Sequence, residues 1–478
     1  MPERRVLDPG VDEFREAGHR LIDWIADHFE NIDRVPVMAR IEPGEISAAL
    51  RREPSEEGRP YAELMREFEG TILPGVTQWN HPGFFAWFAV TGSQAGILGE
   101  LLSAAMNVNG MLWKSCPAAT ELEATVLDWL AQALGLPTEW FGIINDTASI
   151  NTFLALAAAR EAAGLDVRGS GMTGRDLPPL RIYCSEQAHS SVEKGALALG
   201  FGAEGVVKIG TDDADAIRID ELERAVSRDR ERGARPCAIV ATVGTTATAA
   251  VDSVRAAAAI ARRERVWLHV DAAYAGTAMI CPELRPLWDG IEAADSVVVN
   301  PHKWLFTPID CSVLYTARPD VLKETFSLVP EYLRTSDGAT VNYMDYGLQL
   351  GRRFRSLKLW MVMEHYGLER MRAVIRSHIE WGGRLASLLS ARDDVELLAP
   401  QRFSVVVFRR VVRRGDSIDE EASERATAGL VERINASGGA FLATTRLRGR
   451  FGIRVAIGNG MTEWRHVERI VLALEEDD

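Results

Sequence analysis

The tract VVVNPHKWLFTPID (297–310) places a lysine, Lys303, directly after a β-branched run and directly before the apolar Trp304-Leu305-Phe306. Lysine is seldom buried because its ammonium is costly to desolvate. A lysine held among apolar neighbours has its pKa lowered and its amine made nucleophilic. Three other chemically capable residues also stand just after strand-like runs. His189 follows LRIYCSEQA, Thr246 follows CAIVATVGT, and Asp271 ends VWLHVD. In an open parallel sheet, ligands gather outside the carboxyl ends of the strands, so these four residues are expected at one edge. Upstream, Thr147-Ala148-Ser149 opens an alanine-rich helical stretch. Hydroxyls and free backbone N–H groups at a helix start can hold a phosphate. An amine for a Schiff base, a carboxylate for a ring nitrogen and a phosphate cradle together suit pyridoxal phosphate. Singly, a strand-end Asp is more often a turn former and a Ser before a helix only a cap. Their common order along one sheet edge reverses that.

The elements that must position these residues alternate from about 94 to 318. Strands are expected at 180–184, 205–209, 237–243, 266–271, 295–299 and 311–315. Helices are expected at 120–134, 150–163, 190–199, 218–232 and 252–263, the first opening on Thr120 and Glu123 at capping-box spacing. Short apolar strands separated by helices imply an α/β fold: a mostly parallel sheet covered on both faces. Residues 11–32 follow the spacing of an amphipathic helix through Phe14, Ala17, Leu21, Ile22, Ile25, Phe29 and Ile32. So strong an apolar stripe needs a surface to cover, in its own domain or on a partner subunit. Residues 40–60 look like a connector. Three regions result: an N-terminal helical segment over 1–93, a large cofactor-binding domain over 94–367 and a smaller α+β domain over 368–478, the last with strand-like runs at 403–408 and 451–457. The stretch GFGAEG (200–205) matches a dinucleotide-binding glycine pattern by letter. A helix precedes it and a strand follows, the reverse of what that motif requires, so it is read as a turn.

The 478 residues are 47% hydrophobic and 26% charged, an ordinary globular composition. The formal net charge is −14, which disfavours nucleic acid and anionic membranes as partners. Cys116, Cys184, Cys237, Cys281 and Cys311 are odd in number with no C-x-x-C pair, which suggests reduced thiols, no zinc site and a cytoplasmic location. No apolar run is long enough to span a bilayer, and the N-terminus has no apolar signal region.

NHPGFFAWF (80–88), CPAATELE (116–123), EQAHSSVEKG (186–195), VGTTATAAVDS (243–253), WLHVDAAYAG (267–276), NPHKWLF (300–306) and LGRRFRSLKLW (350–360) resemble the group II pyridoxal-phosphate decarboxylases, especially the aromatic-L-amino-acid decarboxylases. HVDAAYAG with NPHKW is the specific part. The resemblance runs from about residue 11 to 470. It implies a fold-type-I homodimer with active sites at the subunit interface and the N-terminal helix packed across the partner. It makes Lys303 the Schiff-base lysine, Asp271 the partner of the pyridine nitrogen and His189 the ring-stacking histidine. Thr246 and Ala273 match positions beside the ring; Ala148, Ser149, Asn300 and His302 match the phosphate side. SLVPEYLRTSDGATVNY (327–343) matches the family's mobile catalytic loop, with Tyr332 where the decarboxylases carry a proton-donating tyrosine. Trp79, Phe88, Val90, Met106 and Gly351 fall on substrate-pocket stretches. Val90 replaces a threonine of animal relatives, and Asn107 and Asn109 make their stretch more polar. The activity implied is decarboxylation of an aromatic amino acid: tryptophan, tyrosine, phenylalanine or dihydroxyphenylalanine. The alternatives are an oxidative aldehyde synthase, a decarboxylase of glutamate or histidine, and an aminotransferase. Arg454, in FGIRVAIG, could be mistaken for the aminotransferase's carboxylate-binding arginine, although the decarboxylases carry an arginine in a similar strand.

Overall fold

The computed structural model describes residues 10–51, 53, 54, 56–328 and 340–475. A seven-stranded sheet forms the centre, in the order β1-β7-β6-β5-β4-β2-β3. The strands are β1 (Phe141–Asn145), β2 (Leu180–Ser185), β3 (Val206–Ile209), β4 (Arg235–Thr242), β5 (Trp267–Asp271), β6 (Ser296–Val299) and β7 (Ser312–Thr316). β2 to β6 are mutually parallel, β7 runs antiparallel to β6, and β1 runs antiparallel to β7. Two reversals cancel, so the carboxyl end of β1 lies on the same edge as those of β2, β4, β5 and β6. Val297, Val298 and Val299 are fully buried. Cover on both faces explains why these strands read as continuous apolar runs rather than alternating ones.

β1 has no counterpart among the expected strands. It is five residues long, contains Gly142 and joins the sheet only through β7. The capping box expected at Thr120 and Glu123 is not formed. The helix begins earlier, at Pro117, and runs to Leu134, which places both residues inside it. Proline suits that first turn because its missing N–H has no partner there anyway. Glu123 instead accepts the Ile144 N–H at 2.9 Å and an Arg352 Nη2 hydrogen at 2.7 Å. Arg352 also donates to the Ile144 carbonyl at 2.8 Å, and both side chains are buried. Removing one member of such a pair leaves an uncompensated charge in the interior. Glu123→Ala should therefore lose about 3–5 kcal/mol of unfolding free energy in urea. Glu123→Leu with Arg352→Met should recover most of that loss. A single variant as stable as the parent would contradict this account.

The glycine-rich stretch 200–205 is a helix exit. The helix Ser191–Ala198 precedes it, Gly200 takes φ +84°, and the N–H groups of Gly200 and Phe201 return to the Leu197 and Ala196 carbonyls. β3 follows. Within 40–60 a short helix, Glu45–Ala49, interrupts the expected connector. The long helix Arg355–Ser390 breaks at Gly367, whose φ of +67° no L side chain adopts easily. Beyond it, Val395–Leu397, Val405–Arg410, Ala443–Leu447 and Arg450–Ala456 form a four-stranded antiparallel sheet. The N-terminal helix Val11–Asn31 buries none of its residues within the chain. Phe14 stays 66% exposed and Leu21 42%, so the first half of its apolar stripe is uncovered, while Trp24 packs edge-on against Phe68 at 5.4 Å and Ile32 is buried. All five cysteines are free thiols.

Candidate active site

β6 ends at Val299, and the chain turns through Asn300 into the short helix Pro301–Trp304. That turn sets Lys303 at the sheet edge, with its N–H bonded to the Asn300 carbonyl at 2.9 Å. Its ammonium lies 5.3 Å from the centre of the Phe88 ring. Burial lowers its pKa; Asp271 opposes that shift and Arg454 adds to it. Asp271 closes β5, is buried, and accepts the Ala273 N–H on Oδ1 at 3.1 Å. Thr246 sits in the loop after β4, which is clamped at Val243 by the Asp271 carbonyl and at Gly244 by the Ala250 carbonyl. Gly244 has φ +91°, and a Cβ there would stand 2.7 Å from that of Ala275, so only glycine lets this loop close on the strand-5 turn. His189, after β2, has its Nδ1 fixed by Ser191: 3.2 Å to the N–H and 2.9 Å to Oγ. Burial lowers the His189 pKa against the pull of Asp271. His189 and Thr246 are exposed at the mouth, while Asp271 lies deep.

On the neighbouring side, the helix Ala148–Ala162 starts one residue after Thr147. Ala148 and Ser149 thus stand within its first turn rather than ahead of it, where backbone N–H groups lack helical partners. A buried amide chain ties this corner together. Asn145 donates to Asn151 at 2.7 Å, Asn151 to Ser312 at 2.8 Å, and Ser312 to the Asn300 Oδ1 at 2.5 Å. It joins β1, that helix, β7 and the Asn300 turn. His302 accepts the Cys311 N–H on Nδ1 at 2.9 Å, and burial pushes its pKa down to about 3, so its imidazole is neutral.

A cleft of about 370 Å³ opens over this edge, lined by Trp87, Gln187, His189, Thr246, Thr444 and Arg454 among others. Phe88 is brought against Lys303 and stacks on Tyr274 at 3.6 Å, which stacks in turn on Trp304 at 4.9 Å. Trp79 stacks on Phe84 at 4.4 Å and on Trp87 at 5.5 Å. Val90 is half-buried two residues past Phe88. Met106 and Gly351 do not line this cleft. Met106 ends the helix Gln94–Met106 and is 61% exposed, and Gly351 lies by Asn109. Tyr332 lies outside the described residues. Arg454 is the pocket residue whose part the sequence leaves open. It is buried, donates Nη1 to the Ala86 carbonyl at 2.9 Å, and holds its guanidinium 4.4 Å over Phe88. Its Nε and Nη2 have no partner among the described residues, and burial lowers its pKa to about 10. An arginine inside an otherwise apolar strand was the available signal.

These residues fit pyridoxal phosphate. The fit rests on a lysine amine with no ion-pair partner among the described residues, a buried strand-end carboxylate whose charge acts on that lysine and on His189, and a helix start with free N–H groups beside a fixed asparagine. Comparison with known proteins points the same way. Residues 43–411 match the model of the pyridoxal-dependent decarboxylase conserved domain. A phenylacetaldehyde synthase of Arabidopsis thaliana is 38% identical over 99% of this chain and 97% of its own length. Tryptophan decarboxylase 2 of Oryza sativa subsp. japonica is 38% identical over 96% of this chain and 93% of its own. The crystal structure of Oryza sativa TDC with PLP and tryptamine superposes with a TM-score of 0.93 at 37% identity, covering 99% of this chain and 100% of that one.

Proposed function

This chain belongs to the pyridoxal-dependent decarboxylase family, and from that premise we propose that it converts an aromatic L-amino acid to the arylethylamine and carbon dioxide. It is a pyridoxal-phosphate-dependent amino-acid decarboxylase. The observation that carries the aromatic substrate is the set of rings at the site: Phe88 against Lys303 and Trp87 on the cleft wall, with Trp79 stacked on Trp87. Apolar contact stabilises a flat ring by about 25 cal/mol per Å² buried.

When bound, the cofactor supplies an electron sink for the pair left on Cα as carbon dioxide departs. Lys303 would hold it covalently through the amine and yield that position to the substrate's amine. Asp271 would keep a proton on the pyridine nitrogen, since an adjacent carboxylate stabilises the protonated form. His189 would form the flat wall over the ring, with Thr246 and Ala273 at its edge. Ala148, Ser149, Asn300 and His302 would hold the phosphate side. Arg454 offers two unpaired donor nitrogens, Nε and Nη2, to orient the substrate's carboxylate. Tyr332 would deliver the proton to Cα, an assignment that rests on its match to the family's loop.

The unit is a homodimer with interfacial active sites. Its support is the exposed first half of the N-terminal helix's stripe, Phe14, Leu21 and Ile22, together with Leu98, Leu101, Leu102 and Met106, all well exposed on one helix. Met106 and Gly351 then belong to the partner's site. Sedimentation of the purified protein as a monomer at micromolar concentration would remove this part. The cytoplasm is the compartment proposed, on the free thiols. An oxidative aldehyde synthase is the second reading, favoured by the similarity to the Arabidopsis enzyme. Supplied with L-tryptophan under air, the protein should yield tryptamine; indole-3-acetaldehyde as the main product would favour that second reading.

Gly351 bears on substrate choice. A Cβ there would have Asn109 Nδ2 as its nearest neighbour, at 3.8 Å, so serine fits without disturbing the fold. Gly351→Ser should lower kcat/KM for tryptophan roughly tenfold more than for tyrosine, the scale of a small steric change in a pocket. Equal losses for both substrates would mean that Gly351 does not touch the ring.

A further inference from the structure

Three buried polar atoms near Asp271 have no hydrogen-bond partner among the described residues: Nε2 of His269, Oγ1 of Thr242 and Oγ1 of Thr152. A buried polar group left unpaired costs roughly 1–3 kcal/mol, so a cluster of them needs a reason. Their placement supplies one. His269 stands two residues before Asp271 on β5, and alternate residues of a strand share a face. Thr242 is the register partner of Asp271 across β4. Directly paired residues point to the same side, so Thr242 shares that face. Thr152 lies on the helix Ala148–Ala162, which packs on β4 and β5.

The other nitrogen of His269 is held by a serine. Nδ1 lies 2.9 Å from Ser296 Oγ, and that oxygen accepts the Trp267 indole N–H at 2.9 Å. An indole nitrogen only donates. With the Ser296 hydroxyl proton given to Nδ1, the imidazole proton stands on Nε2, and this is the tautomer that the arrangement proposed here uses. Burial pushes the His269 pKa down to about 4, so the ring is neutral near pH 7. A neutral ring with one free N–H thus shares a strand face with Asp271.

We propose that His269 and Thr242 are positioning residues for Asp271, joined to its carboxylate through one internal water that Thr152 completes. The water has the His269 N–H, the two threonine hydroxyls and the carboxylate as partners, within the usual two to four for a buried water. Hydrogen bonds to a carboxylate favour its charged form. This shell fixes the orientation of the Asp271 carboxylate, and through it would hold the proton on the cofactor's pyridine nitrogen. The charged or titratable groups around Asp271 are Lys303 and His189 beside it and His269 behind it. The proposal rests on the cofactor assignment above, and the test separates the two.

Apoprotein of the parent, Thr242→Val, His269→Leu and His269→Gln is titrated with pyridoxal phosphate carrying ¹⁵N at the ring nitrogen. Affinity and the nitrogen's chemical shift are both read. Thr242→Val and His269→Leu should each bind the cofactor about tenfold more weakly, the scale of one lost hydrogen bond. Both should move the nitrogen shift toward the unprotonated position. His269→Gln keeps an N–H donor and should recover most of both. A parent that fails to bind the cofactor would overturn the assignment of the site. A parent that binds, with Thr242→Val unchanged in affinity and shift, would overturn this proposal alone, as would His269→Gln behaving like His269→Leu. If His269→Leu does not fold, Thr242→Val decides, because it keeps the shape of the side chain.

Discussion

Lys303→Ala should purify without the visible absorbance of bound cofactor, and turnover should fall by a factor on the order of 10³ or more, as when a covalent catalytic group is removed. The expectation follows from placement. Lys303 is set on the edge where β6 ends, its pKa is lowered by burial, and its ammonium lies 5.3 Å from the centre of the Phe88 ring. Added alkylamine should restore part of the turnover, since the lost amine is then supplied from solution. Retention of the visible band at the parent's wavelength would mean that another lysine anchors the cofactor. Lys358 is the one to examine then. It is buried too, but its Nζ lies 2.8 Å from Glu100, and that ion pair is a structural use of its charge.

Tyr332→Phe should change the product rather than abolish the reaction. Without a proton donor at Cα, the electron pair left by carbon dioxide persists long enough to meet dioxygen. Two electrons then pass to oxygen, giving hydrogen peroxide. One water is consumed, and the carbon leaves as the aldehyde with ammonia. Amine yield should drop and peroxide should rise in equal measure with aldehyde, while cofactor affinity stays at the parent's value. Unchanged amine output would take Tyr332 out of the chemistry and place the proton donor elsewhere in the closed site. The contrast also tests why a chain 38% identical to a phenylacetaldehyde synthase should make an amine.

Much of this site is legible in the linear sequence, and the physical reason is specific. Strands buried on both faces must be apolar throughout, so a lysine, an aspartate or a histidine at their ends stands out against the run. Lys303, Asp271, Thr246 and His189 are of this kind. β1 is not: FGIIN is short, carries a glycine and owes its place to β7, 171 residues on from Phe141 to Ser312. Glu123 shows the opposite failure. Its local spacing satisfies a capping box, yet Arg352 takes the carboxylate from 229 positions away. Tertiary pairing overrode a local pattern that was right by letter. The substrate side was legible only in part. Phe88 reaches Lys303 within the chain, whereas Met106 and Gly351 stand apart from the cleft, and no local spacing separates them from ordinary surface positions. The shell behind Asp271 was hidden for a different reason: nothing in the sequence relates His269 to Thr242 until the register of β4 and β5 puts them on one face.

The central claim, that an aromatic amino acid loses its carboxylate here, is tested most directly by carbon dioxide release from the cofactor-loaded protein. The panel is L-tryptophan, L-tyrosine, L-phenylalanine, L-dihydroxyphenylalanine, L-histidine and L-glutamate at equal concentration. The account predicts release from the aromatic members, tryptophan included, with the matching arylethylamine formed in equal amount. Faster release from glutamate or histidine than from every aromatic member would contradict it.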